Sequence, residues 1–180
     1  MFEEFANYRV VLVTGPQRSG TTITAQMIAY DTGHRYVDEF EFSVYDDVAF
    51  DRTCNTGRDI VVQCPGMLRR IVDCPPSDDV LVVMIRRALE DIRRSERRIR
   101  WECSAVELAR LGRTSGDAAL LKYEYWDQHK KPRHWRAVAF QDLIEHPLFL
   151  PRSARSRFLP KQTTTQMGAG IMGLRRQPYV

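Results

Sequence analysis

The chain has 180 residues, 43% of them hydrophobic and 28% charged, which fits one globular domain with a real core. No apolar run approaches the roughly 20 residues needed to span a bilayer, and the opening MFEEF leads into a strand pattern rather than a secretory leader. A cytoplasmic protein without a membrane partner is therefore expected. The net charge is +4, and only four of the 27 basic residues are lysine; the arginine excess favours an anionic ligand, because guanidinium grips phosphate or sulfate bidentately.

In chain order, YRVVLVTG (8–15) is an apolar, β-branched run that predicts a buried strand. TTITAQMIAYDTGH (21–34) predicts a helix with Gly33 as its C-cap. RYVDEFEF (35–42) alternates apolar and acidic residues and predicts a short strand or strand-like loop. DIVVQCPG (59–66) is a second buried strand, and MLRRIVDC (67–74) a short helix stopped by Pro75 and Pro76. DVLVVMIRR (79–87) is a third buried strand, and residues 88–112 predict one long helix. A further helix over 117–131, a strand at HWRAVAF (134–140) and a short helix from Gln141 follow. The tail, about 165–180, predicts a mobile segment of a single 1–180 domain. Cys54, Cys64, Cys74 and Cys103 form no C-x-x-C pair and predict reduced thiols with no zinc site.

Apolar strands alternating with helices predict an α/β three-layer sandwich with a central parallel sheet, of P-loop NTPase-like type. Ligands on such sheets bind at the carboxyl ends of the strands. GPQRSGTT (15–22) stands there with the spacing G-x-x-x-x-G between strand and helix, the context in which backbone N–H groups cradle a phosphate. The nucleoside triphosphatase version continues with a lysine that reaches the β/γ-phosphates and needs a carboxylate for Mg²⁺. Here Thr21 stands at the lysine position, and the later strands end in Gln63 and in Arg86–Arg87. No metal site is expected.

R-S-G-T-T over Arg18–Thr22 resembles the 5′-phosphosulfate loop of the sulfotransferase family that uses 3′-phosphoadenosine 5′-phosphosulfate (PAPS). The resemblance implies PAPS, and its product PAP, as co-substrate without a required metal. It implies that Gly15, Gln17, Arg18, Ser19, Gly20, Thr21 and Thr22 bind the 5′-phosphosulfate, with Arg18 also catalytic as PAP leaves. A second family element, an arginine at a strand end and a serine eight residues on, implies that Arg87 and Ser95 grip the 3′-phosphate. Arg86 is the rival, although counting from it puts Arg94 in the serine position. QDLIEHPLF (141–149) and RFLPKQT (157–163) are weaker echoes of the family.

Sulfuryl transfer needs a group to take the acceptor's proton. The family's practice implies Glu39 first, then Asp38 and Glu41, against the alternative of a solvent-facing acidic strand edge. His34 is the histidine nearest a strand end. Trp101, Tyr123, Tyr125, Trp126 and Trp135 read mainly as core or interface aromatics. Three functions are weighed: transfer of a sulfuryl group to a hydroxyl or amine of a small-molecule or carbohydrate acceptor, a degenerate P-loop kinase or NTPase, and an arginine-rich nucleic-acid module. Nucleic acid is the least favoured partner, and a short chain could complete its site as a homodimer.

Overall fold

The computed structural model describes residues 1–42, 46–100, 104–155 and 157–158. Five strands, β1 (Val10–Thr14), β2 (Arg35–Val37), β3 (Ile60–Gln63), β4 (Val80–Arg86) and β5 (Trp135–Ala139), form one sheet in the order β2-β3-β1-β4-β5. Every pairing is parallel. Val10 of β1 sits between Ile60 and Val80, and Val13 between Gln63 and Val83. The predicted α/β class and central parallel sheet are what the chain adopts.

An all-parallel sheet must be covered on both faces. Successive side chains of a strand point to opposite faces, and β1 divides accordingly. Val10 and Leu12 join a core with α2 (Asp47–Thr56), α3 (Leu68–Asp73), α4 (Leu89–Ile99) and α6 (Ala118–Gln128). Val11 and Val13 join a second core with α1 (Thr21–Thr32), the amino-terminal 3-10 helix Glu3–Asn7 and Leu143 of the 3-10 helix Phe140–Glu145. Neighbouring strands β1 and β3 thus feed helices on opposite faces. The carboxyl ends of these two strands are therefore the point where the winding of the sheet reverses, and ligands of such sheets bind at that point.

One expectation needs correction, and two elements add detail. The single helix over 88–112 is two helices: α4 ends at Ile99, its C-cap Arg100 takes the left-handed conformation (φ 50°), and α5 spans Ser104–Arg110. A residue in the left-handed conformation ends a helix by turning the chain off its axis. The segment 35–42 keeps only three strand residues before turning into a 3-10 helix, Glu39–Glu41. Helix α2 was not anticipated; Asp46 caps it through Val48 and Ala49 N–H, and it buries only Phe50 and Cys54, one turn apart.

Cys54 and Cys64 are buried free thiols, and Cys74 is exposed. Trp126 is fully buried in the helix layer. Trp101, Cys103, most of RFLPKQT and the tail lie outside the described residues. Among the described residues no helix is long and apolar enough to cross a membrane.

Candidate functional site

The loop between β1 and α1 is held in a shape that few sequences tolerate. Gly15 (φ 147°) and Gly20 (φ 107°) take conformations open to glycine, and Arg18 (φ 64°) sits in the left-handed region. A Cβ on Gly15 would lie 3.1 Å from the Ile85 carbonyl oxygen, and one on Gly20 would lie 2.4 Å from the Phe140 ring. Gly20 is also the N-cap of α1 and supplies no side-chain cap. The first turn of a helix has N–H groups without intrahelical partners. Here the first intrahelical bond runs from Thr24 N to Gly20 O, so the earlier amides and the helix dipole face the loop.

Arginines surround this loop. Arg87, just beyond β4, donates from Nη1 to the Arg18 carbonyl (3.1 Å) and lies over the Phe140 ring at 4.1 Å. Tyr123 of α6 fixes the Arg87 backbone, accepting from its N–H (2.9 Å) and donating to its carbonyl (3.2 Å). Arg18 donates from Nε to Ser95 Oγ on α4 (3.1 Å). Arg18, Arg87 and Ser95, which are 77 and 69 residues apart in the pairs just given, therefore meet at one place. Arg86 does not join them: it pairs with Asp127 and lies over Tyr123 at 4.9 Å. Of the two neighbouring arginines, Arg87 is the one that reaches the loop. Ser19 Oγ and Arg87 Nε are buried without a hydrogen-bond partner among the described residues. Gln17 and Thr21 are buried, and Thr22 is partly so.

The carboxylates after β2 divide by role. Asp38 caps the 3-10 turn, accepting from Phe40 N–H (3.2 Å) and Tyr36 Oη–H (2.8 Å). Glu41 completes the capping box by accepting from Asp38 N–H (3.0 Å), and its other oxygen pairs with Arg35 (3.1 Å). Glu39 turns inward: it is 9% exposed, and its Oε2 has no hydrogen-bond partner among the described residues. Burial, and next the charge of Asp38, lift its carboxyl to about 7; the amides of Gln63 and Gln17 and the charge of Lys122 act against that rise. A carboxyl poised near neutrality can accept a proton. Gln63 is buried and accepts from Tyr36 Oη–H (3.4 Å).

His34 stands at the other edge of the sheet, where its Nε2 meets the Tyr8 carbonyl at 2.9 Å. Lys122 and Glu107 were missed from sequence; both are buried and paired beside the turn after β3. The signal was a lone lysine in the apolar run AALLKYEYW of an arginine-rich chain. The chain matches no protein-family model and no curated protein, so the functional reading rests on the site's own chemistry.

Proposed function

We propose that the protein is a sulfotransferase-like enzyme that moves a sulfuryl group from PAPS to a hydroxyl or amine of an acceptor. The observation that carries this reading is the convergence of Arg18, Arg87 and Ser95 on a G-x-x-x-x-G loop that lacks the triphosphatase lysine. The loop amides, the α1 N-terminus, Ser19, Thr21 and Thr22 would hold the 5′-phosphosulfate. Arg87 and Ser95 would take the 3′-phosphate, with Arg18 between the two anions.

In the reaction the acceptor oxygen or nitrogen forms a bond to sulfur as the bond between sulfur and the 5′-phosphate oxygen breaks. The electron pair leaves with PAP, where Arg18 offsets the developing charge. The acceptor's proton passes to Glu39. Arginine supplies the charge that Mg²⁺ supplies in phosphoryl transfer, so binding that ignores Mg²⁺ is the expected behaviour.

Calorimetric titration with PAP and with ATP, each with and without Mg²⁺, tests the reading. PAP is expected to bind with or without the metal. Arg18→Ala and Arg87→Ala should each weaken PAP by roughly 10- to 100-fold, the value of a charge-assisted hydrogen bond. Arg86→Ala, which removes only a partly exposed pair with Asp127, should change it less than about threefold. Binding of Mg·ATP alone would favour a kinase or NTPase instead.

A further inference from the structure

Beside the turn after β3 lies a buried ion pair that the transfer scheme does not use. The side chains of Lys122 on α6 and Glu107 on α5 are 4% and 3% exposed, with Nζ and Oε2 2.9 Å apart. Lys122 Nζ also donates to the Pro65 carbonyl at 3.2 Å. Pro65 opens the turn directly after β3, two residues past Gln63, and the Gln63 amide lies against Glu39. A buried ion pair adds little stability over apolar residues of the same volume. This one also leaves Glu107 Oε1 without a hydrogen-bond partner among the described residues, which a pair serving packing alone would satisfy.

We propose that Lys122 is a positioning residue for Glu39: it pins the turn after β3 and presents a buried positive charge to the Glu39 carboxylate, while Glu107 sets how much of that charge is felt. The proposal rests on the reading of Glu39 as proton acceptor. The groups acting on Glu39 are Asp38 from its own turn, Gln63 from β3, Gln17 from the loop and Lys122 from α6. Cys64, next to Gln63, is held neutral because burial pushes its thiol up. Only Lys122 among these brings a positive charge. Glu96 of α4 faces the same cluster, raised by burial and by Asp117 and Glu107, and drawn down by Arg18 and Lys122.

The test is a carboxyl ¹³C NMR titration of the intact protein without ligand, with the Glu39 signal assigned by its loss in Glu39→Gln. Glu107→Gln leaves Lys122 unpaired and should move the Glu39 midpoint down. Lys122→Met combined with Glu107→Gln removes both charges and strands neither ion; it should move the midpoint up by about half a pH unit or more. Lys122 acting only in packing would leave the midpoint in place in both variants, and that result overturns the proposal. If the double variant does not fold, Glu107→Gln decides alone: a midpoint unmoved or raised overturns it. The titration uses no PAPS, so its failure is distinct from failure of the calorimetry. A protein that titrates as proposed but binds no PAP keeps the charge coupling and loses the sulfuryl-transfer reading.

Discussion

The two edges of the sheet use the same residue types to different ends. At the amino edge, Arg9 donates to Asp79 (2.6 Å) and to the carbonyls of Cys54 (3.0 Å) and Gly57. His34 meets the Tyr8 carbonyl, and the Tyr8 hydroxyl meets His134 at 3.5 Å. At the carboxyl edge, Arg18 sits at positive φ between two glycines that also do. Of the five buried side-chain atoms without a partner among the described residues, Ser19 Oγ, Arg87 Nε and Glu39 Oε2 belong to the loop site. Glu107 Oε1, in the buried pair with Lys122, and Trp126 Nε1 belong to the helix layer. One edge satisfies its polar groups from within. The other keeps donors, strain and an unpaired carboxyl oxygen together, which is the pattern of a site whose partner comes from outside.

The largest expected effect falls on the loop's shape. Gly20→Ala places a Cβ 2.4 and 2.6 Å from two Phe140 ring carbons, at a φ of 107° that alanine resists. Chemical denaturation should show a loss of about 3 kcal/mol, with PAP binding lost too. Adding Phe140→Ala should recover the steric part and not the dihedral part. A Gly20→Ala protein as stable as the wild type would mean that the loop does not hold this conformation.

Glu39 sharpens the contrast through pH. Its folded carboxyl, near 7, lies above the ordinary 4.5 because burial disfavours the charge. A group raised on folding contributes stability that is present below its unfolded value and lost as pH rises through its folded one. The wild type should therefore lose on the order of 2 kcal/mol from this group between about pH 5 and pH 8. Glu39→Gln should flatten that slope and be the more stable protein at pH 8, with the two alike at pH 5. If it is also the proton acceptor, transfer in the variant should fall by roughly 10²- to 10⁴-fold. The same substitution would then raise stability and remove activity.

What could be read from the sequence follows from how local each signal is. The loop, α1 and its left-handed Gly33 cap were legible because spacing, glycines and strand context lie within one stretch. Arg86 and Arg87 could not be separated, because the choice depends on Asp127 and Tyr123 of a later helix. The inward turn of Glu39 was hidden by an alternation that predicts a strand, whereas a 3-10 turn rotates successive side chains by about 120° and sends Glu39 in and Phe40 out. The Lys122–Glu107 pair is hidden because the pattern over 88–112 predicts one helix, which gives α5 no path back to α6. Each miss needed a contact between elements.

The smallest effect belongs to the amino edge and completes the comparison. Arg9 is mostly buried, with its side chain 16% exposed, but its carboxylate partner Asp79 is 52% exposed. The guanidinium holds the Asp79 carboxyl well below the ordinary carboxylate range, yet water screens a pair so open, and it adds little. The contribution comes from the hydrogen bonds to the Cys54 and Gly57 carbonyls, which tie the end of α2 to the start of β1. Arg9→Ala should therefore cost about 1 kcal/mol of stability and leave PAP affinity unchanged. Arg87→Ala should weigh the other way, costing PAP affinity more than stability: its buried Nε has no partner among the described residues, and within the fold it gives up one hydrogen bond to the Arg18 carbonyl and its place over the Phe140 ring. Denaturation and calorimetry on both variants measure the two effects independently. Equal losses in both quantities for both arginines would erase the distinction between the edges, since it would mean that Arg87, too, serves mainly to hold the fold.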